Sequence, residues 1–318
     1  MDKSTPIERA FRATERRLWG LCYRMTGVAA DADDLVQEAF VRAMESGREL
    51  SGPDLERWLI RVATNLSLDC LRRRKRRGYP GPWLPSPVET GERVDTSTSA
   101  AGTTASTDQQ VEQAEEVSYA FLVALEALSP RARAVLLLID VLDYLAAEVA
   151  GILETSEGNV RVLHHRARRT LDGFDVQTVA SPAVRARQRL ALEQLLLCMM
   201  NQDAAGMEAL LTDDVRSVTD AGGRYTALRE PLAGRLAVIR FHLETARRRA
   251  PVSSTELRWI NGDAGLVVVT RPLRPQMAPR LVLRCEVDAG GRIRELHTIL
   301  APRKLTAVRF DDPDQPVP

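Results

Sequence analysis

The sequence predicts a multidomain chain: two all-α domains, the second built on a helix-turn-helix, followed by an α+β domain. Three observations carry that expectation. Through residues 7–77 apolar residues recur at spacings of three and four, with no strand-like alternation. A helix, a three-residue break and a second helix are legible across 146–171. Beyond Ser181-Pro182, helical periodicity gives way to short strand-like segments separated by Asn261-Gly262 and Gly290-Gly291 turns. At 318 residues the chain is long enough for two or three domains.

In the first domain, Asp31, Asp33 and Asp34 place carboxylates at a helix start, where the dipole favours them. Leu35, Val36, Ala39, Phe40 and Ala43 then form an apolar stripe, with Asp34, Gln37, Glu38 and Arg42 opposite. After Pro53, the residues Leu55, Trp58, Leu59, Val62 and Leu66 make the apolar face of a second helix, and Arg57 and Arg61 its polar face. That helix runs into six cations, Arg72 to Arg77, and Gly78 and Pro80 close it. Such a run suits a solvated helix end, a phosphate-binding patch or a targeting tract; on a duplex it makes binding steeply salt-dependent.

Residues 79–117 change character. Prolines surround Trp83-Leu84, and a Ser/Thr/Ala/Gly stretch follows that cannot bury a core. The segment reads as a flexible linker, except that the Trp83-Leu84 pair needs an apolar dock. Helices resume near 117. Ser129-Pro130 is a cap followed by proline at the first helical position, and Ser156 caps the second helix of the helix-turn-helix. Burying Val160, Leu163, Ala167 and Leu171 turns Glu157, Gly158, Arg161, His165, Arg168 and Arg169 toward solvent. That is the layout a recognition helix needs, and Arg161 is placed to pair bidentately with guanine. A plain helical hairpin with a basic face is the other reading of the same pattern. His164 and His165 read as surface residues rather than ligands.

The third domain is expected over 182–310, with a short tail at 311–318. Its helices come first, near 184–201, 206–211 and 231–248, and its strands follow at 257–260, 265–270, 280–287 and 293–299. His242, Asp220, Glu286 and His297 are candidates for pocket chemistry, but nothing in the sequence brings them together.

Composition narrows the function classes. The net charge of +1 conceals an asymmetry: residues 1–78 hold 16 Lys/Arg against 12 Asp/Glu, and residues 79–117 hold 1 against 7. Local clusters, not global charge, therefore bear on nucleic acid. The four cysteines, Cys22, Cys70, Cys198 and Cys285, are far apart and lack metal-ligand spacing, so they read as structural thiols. Neither a metal site nor a cofactor is expected. No apolar run reaches membrane-spanning length and no signal-peptide core opens the sequence, so a cytoplasmic protein with no membrane partner is expected.

Three motifs in order resemble the extracytoplasmic-function (ECF) sigma factors of RNA polymerase. Tyr23-Arg-Met-Thr-Gly27 followed by Asp31-Ala-Asp-Asp-Leu-Val-Gln-Glu-Ala-Phe-Val-Arg-Ala43 resembles the core-binding segment of sigma region 2. Trp58-Leu-Ile-Arg-Val-Ala-Thr-Asn-Leu-Ser-Leu-Asp69 resembles the segment that melts and reads the minus-10 element. Leu128-Ser-Pro-Arg-Ala-Arg-Ala-Val135 and the helix-turn-helix resemble sigma region 4, the minus-35-reading domain. Trp83-Leu-Pro-Ser-Pro87 and the C-terminal region resemble the subgroup that carries a SnoaL-like cone-shaped α+β domain. Two loops depart from that subgroup: Asp220-Ala-Gly-Gly-Arg224 replaces Asp-Gly-Gly-Gly-Lys, and Ala301-Pro-Arg-Lys-Leu305 replaces Asn-Pro-Asp-Lys-Leu.

The resemblance implies partners and site residues. Core RNA polymerase, through its clamp and flap regions, and promoter DNA are the expected partners. Asp33, Asp34, Gln37, Glu38 and Arg42 are expected to face polymerase. Arg61, Asn65, Arg72 and Arg73 are expected at the minus-10 element, Asn65 where the family captures a flipped base. Asp69 stands where some members have an amide. Glu157, Asn159, Arg161, His165, Arg168 and Arg169 are expected at the minus-35 element. Trp83, Leu84, Asp220, Gly222, Gly223, Arg224, Lys304 and Leu305 are expected to make regulatory contacts. The C-terminal domain is expected to modulate activity rather than to catalyse, and a small-molecule ligand there stays open.

Overall fold

The computed structural model describes residues 6–46, 52–90, 118–172, 181–248 and 251–311. Residues 91–117 of the linker expected over 79–117, and 312–318 of the tail expected over 311–318, lie outside the described residues. The chain divides into two compact units, one of residues 1–78 with 120–178, the other of residues 79–119 with 179–318.

The first unit is helical. α1 (Pro6–Thr26), α2 (Ala29–Glu45) and α3 (Gly52–Arg77) pack pairwise against one another. Gly27 supplies the left-handed residue that stops α1, at φ 68°, and its N–H returns to the Tyr23 carbonyl at 2.7 Å. The expected α2 stripe of Leu35, Val36, Ala39, Phe40 and Ala43 is buried, although the helix starts before Asp31. The α3 face is wider than its sequence suggests. Leu55, Leu59 and Leu66 are buried with Ile60, Ala63, Leu68 and Leu71, whereas Trp58 and Val62 stay half-exposed. A helix buried against two neighbours needs more than one stripe, so Thr64 and Ser67 also turn inward, bonding back to the Ile60 and Ala63 carbonyls.

α4 (Tyr119–Leu125) leads to α5 (Pro130–Asp140), whose cap Ser129 accepts from Ala132 N–H at 3.3 Å. α6 (Ala146–Ile152) and α7 (Glu157–Thr170) form the helix-turn-helix, and Ser156 accepts from Asn159 N–H at 3.2 Å. α5 packs on α7, and also on α1 and α3. Residues of the two helical segments therefore share one unit.

The second unit is α+β. α8 (Pro182–Asn201), α9 (Ala204–Leu210) and α10 (Arg235–Arg248) cover one face of a six-stranded sheet ordered β2-β1-β6-β5-β4-β3. The strands are β1 (Leu211–Asp220), β2 (Leu232–Ala233), β3 (Val252–Ile260), β4 (Asp263–Thr270), β5 (Arg280–Val287) and β6 (Ile293–Ile299). β1 runs parallel to β6, and the other neighbours are antiparallel.

The helices do not all come first, as the sequence had suggested, because β1 and β2 precede α10. β1 escapes a hydrophobicity reading for a physical reason: exposed Asp213, Asp214 and Arg216 alternate irregularly with buried Ser217, Thr219 and Asp220, of which Ser217 bonds to His242 and Asp220 to Tyr79, Leu84, Gly222 and Lys304. β4 is buried along its whole length, which explains its continuous Leu266-Val-Val-Val269 run. Leu192, Leu195, Val215, Val238, Leu283 and Leu296 are among the core residues between helices and sheet.

Residues 79–90 are not a flexible connector but part of this second unit. Asn261 donates its N–H to the Val88 carbonyl at 2.8 Å, Thr90 donates to Trp259 O at 2.9 Å, and Glu89 bridges antiparallel to Ile260. Four prolines in ten residues fix φ and favour an extended path, so this stretch docks with little entropy left to lose.

Candidate functional site

On α2 the expected polymerase face is exposed. Asp33, Asp34, Gln37, Glu38 and Arg42 all reach solvent, and Val41 and Met44 stand beside them at 40% and 61% exposure. Exposed apolar side chains within a polar face are what a partner surface requires. Asp33 is not wholly available, because Trp19 Nε1 donates to it at 2.6 Å; Glu38 and Arg42 pair at 2.8 Å.

On α3, Arg61, Asn65, Arg72 and Arg73 share exposure. Asn65 therefore does not serve the core, although it borders the apolar face. Asp69 is paired with Arg72 at 2.7 Å, which offsets the repulsion a bare carboxylate there would exert on phosphate. The six-cation run is not uniform. Arg74 turns inward, donating to the Thr26 carbonyl at 2.8 Å and pairing with Glu126 at 2.7 Å. Arg61 is paired across the unit with Glu154, in the turn of the helix-turn-helix, at 2.8 Å.

On α7, Glu157 is half-exposed while Asn159, Arg161, His165, Arg168 and Arg169 are exposed, and Val160, Ala167 and Leu171 are buried; Leu163 is half-buried. Arg161 pairs with Glu157 one turn earlier at 2.6 Å, an exposed contact worth about 0.3–0.5 kcal/mol and easily exchanged for a base. Arg168 is more committed, its Nε 2.8 Å from Asp140 Oδ2, while His164 Nε2 meets Asp140 Oδ1 at 2.8 Å. The Arg168 contact is close in distance but not aligned as a hydrogen bond, since Asp140 Oδ2 has no hydrogen-bond partner among the described residues.

Most of the residues expected to make regulatory contacts in the second unit converge on one carboxylate. Asp220, fully buried at the end of β1, accepts from Tyr79 OH at 2.6 Å and Gly222 N–H at 3.0 Å through Oδ1. Through Oδ2 it accepts from Leu84 N–H at 2.8 Å and Lys304 at 2.5 Å. Lys304 also donates to the Leu84 carbonyl, and its ammonium lies 4.6 Å and 4.2 Å from the Tyr79 and Trp83 ring centroids. Leu84 and Leu305 are buried beside it.

The glycine pair is required by space. A Cβ on Gly222 would lie 3.1 Å from Ala301 Cβ, and one on Gly223 would lie 2.7 Å from Pro80 Cγ; both backbones have positive φ. The Arg224 side chain does not join this clasp. It is exposed, and only its N–H takes part in the turn, donating to Ala221 O at 3.0 Å.

A second anchor had no signature in the sequence. Buried Arg258 meets Glu89 at 3.3 Å, Glu256 at 3.0 Å and Asp311 at 2.8 Å. Burial alone lowers the pKa of its guanidinium, but Glu256, Glu89 and Asp311 outweigh that and raise it.

The four candidates for pocket chemistry do not meet. His242 lies on the helix-covered side, its Nε2 2.9 Å from Ser217 Oγ. Asp220 is occupied by Lys304. Glu286 and His297 belong to the opposite sheet face with Glu295, and these three form a group able to offer three ligand atoms. Cations already neutralise that group: Glu286 pairs with Arg294 at 2.7 Å, and Arg216 lies 3.6 Å from Glu295. No helix among the described residues is long and apolar enough to cross a membrane.

Comparison with known proteins agrees with this geometry. Residues 10–77 match Sigma-70 region 2, and residues 118–171 match Sigma-70, region 4. The ECF RNA polymerase sigma factor SigJ of Mycobacterium tuberculosis is 31% identical over 303 residues, 93% of this chain and 92% of that protein. The probable ECF RNA polymerase sigma factor SigI of the same organism is 26% identical, over 98% of this chain and 99% of its own. The crystal structure of M. tuberculosis SigJ superposes with a TM-score of 0.68 at 28% identity, covering 94% of this chain and 98% of that one. Two sigma regions in order, a helix-turn-helix and a full-length relative establish the family: the chain belongs to the ECF RNA polymerase sigma factors, which direct promoter-specific transcription initiation.

Proposed function

We propose that this chain works in the cytoplasm, joining core RNA polymerase through Asp33, Asp34, Gln37, Glu38 and Arg42 of α2 on the polymerase clamp, with region 4 on the flap. In this reading Arg61, Asn65, Arg72 and Arg73 engage the minus-10 element. Glu157, Asn159, Arg161, His165, Arg168 and Arg169 engage the minus-35 element. The chain performs no bond chemistry of its own, and the C-terminal domain sets how available the DNA-reading segments are.

One observation supports the assignment of the DNA faces above the rest. Asn65 on α3 and Arg161 on α7 are exposed on helices whose other faces are packed, and Arg161 is tied only to Glu157 on its own helix. The Asp220–Lys304 clasp on residues 79–84 supports the regulatory role, because it fixes the chain segment that follows region 2. Run-off transcription with core polymerase and genomic fragments tests the proposal. Promoter-selective transcripts that require the added chain are the expected result, and transcription no better than core alone refutes it.

A further inference from the structure

The second unit contains a cavity of about 750 Å³ between the helix-covered face of the sheet and α10, within the size range of small-molecule sites, roughly 300–1,000 Å³. Its inner wall is apolar, formed by residues such as Leu281, Leu283, Leu300 and Phe241, with hydroxyls at Thr219 and Thr298. Met199 and Met277 add flexible thioethers that adapt to an occupant. Apolar walls of this extent are unfavourable to keep hydrated, and an apolar occupant would remove them from water.

The rim carries Arg240, Arg248 and Glu244. Glu244 is held by Arg247 at 3.0 Å and Arg248 at 2.6 Å, whereas exposed Arg240 has no carboxylate partner among the described residues and supplies the unpaired positive charge. The lining and rim together specify a molecule with a hydrocarbon body and one anionic end. We propose that this cavity binds a monocarboxylate of fatty-acid type, its acyl chain inside and its carboxylate at Arg240.

The cavity also shares a wall with the clasp on residues 79–84. Thr219 and Leu300 line it, and the next residues in the chain are Asp220 and Ala301. Leu300 and Ala301 both donate their N–H groups to the Asp220 carbonyl, at 2.7 Å and 3.1 Å. A chain packed against Thr219 and Leu300 therefore stiffens the strand ends that hold Asp220 and, through it, Leu84. This coupling rests on the regulatory reading of the C-terminal domain; the binding itself does not.

The test uses the full-length protein and three probes with one tail: dodecanoate, dodecanol and dodecylammonium, by isothermal titration. Saturable one-to-one binding is expected for dodecanoate, about tenfold weaker binding for the alcohol, as fits a charge-assisted contact, and the weakest binding for the amine. Arg240→Ala should bring acid and alcohol to equal affinity. Ala237→Trp, at the exposed rim, should block all three without unfolding the domain, as checked by circular dichroism. Absence of saturable binding, or binding unchanged by Ala237→Trp, overturns the site, and an acid preference that survives Arg240→Ala overturns the placement of the carboxylate. Hydrogen exchange read on residues 79–90 should slow when dodecanoate binds. Binding without that slowing overturns the coupling, and since neither measurement involves polymerase, its outcome is separate from that of transcription.

Discussion

Lys304 and Asp220 form a buried ion pair, Nζ to Oδ2 at 2.5 Å, with side-chain exposures of 3% and 0%. Every lone pair that points inward finds a donor, which is the condition under which a buried charge is tolerated. Removing one partner leaves the other charge stranded. Lys304→Met or Asp220→Ala should each destabilise the second unit by about 3–5 kcal/mol in urea unfolding. The double variant Asp220→Ala with Lys304→Met should cost clearly less than the two singles together. Additive losses would mean that the pair is not coupled.

Two cysteines should resist labelling. Burial raises the Cys22 thiol to about 12, and burial likewise raises Cys285 to about 12. A thiol whose pKa is raised in the folded state stays protonated, and so unreactive, until pH approaches that value or the protein opens. Between pH 7 and 9, maleimide labelling should therefore reach partly exposed Cys70 and Cys198 first. Labelling of Cys22 should follow unfolding of the first unit. Rapid native labelling of Cys22 would contradict the packing of α1.

Asp34→Arg combined with Gln37→Ala should abolish co-purification with core polymerase while leaving helicity intact. Both side chains are exposed and flank a surface where Val41 and Met44 also reach solvent. Unchanged co-purification by this double variant would remove α2 from the interface.

The helical periods were legible because the amphipathic faces of α2 and α7 are one-sided: five apolar residues on α2 and the Val160/Ala167/Leu171 stripe on α7 read directly as core. α3 was legible only in part, since a helix buried on two sides uses Thr64 and Ser67 inside and leaves Trp58 half-exposed. β1 was illegible because its buried residues include Ser217, Thr219 and Asp220. The clasp was half legible. Trp83-Leu84 announced a need for a dock, and the glycine pair a tight turn, but no local pattern links Tyr79 to Asp220 or Glu89 to Arg258. Such pairs are set by tertiary approach across more than a hundred residues.

Arg161 and Arg168 should behave differently on DNA. Arg161→Ala removes a side chain tied only to Glu157, so promoter binding should weaken selectively, by about 1–3 kcal/mol for a bidentate base contact. Arg168→Ala should weaken all sequences alike and flatten the salt dependence. Because Arg168 also lies beside Asp140, its loss should cost some stability of the α5–α7 packing as well. Footprinting across salt concentrations, with thermal melts in parallel, separates these effects. Identical behaviour of the two variants would remove the base-reading role from Arg161.

A buried arginine joins the two helical segments of the first unit. Arg133, 2% exposed on α5, donates through Nη1 to the Met25 carbonyl at 2.6 Å and to Glu126 at 2.7 Å. Glu126 in turn holds Arg74 at 2.7 Å, and Arg17 donates to the Leu142 carbonyl at 3.0 Å. These contacts close region 4 onto region 2, and Arg61–Glu154 adds an exposed one. Promoter elements two DNA turns apart lie about 70 Å from each other, which a packed pair of helical segments does not span. On the proposed reading, in which α3 and α7 engage these two elements, the packed unit is expected to open before both are read together. Loss of the buried Arg133 contacts should shift the closed form toward the open one. In Arg133→Ala, spin labels at exposed positions 45 and 165 should report a longer and broader distance distribution than in the parent. Glu126→Gln should do the same more weakly, because it keeps the side-chain volume and loses only charge. If only an open molecule binds polymerase, each shift of about 1.4 kcal/mol raises its apparent affinity about tenfold until opening is complete. Tighter core binding together with a lengthened distance is the expected pair of results. Circular dichroism guards against the alternative that Arg133→Ala simply unfolds α5. A folded Arg133→Ala variant with the parent's distance distribution would show that the latch is not what holds the unit closed.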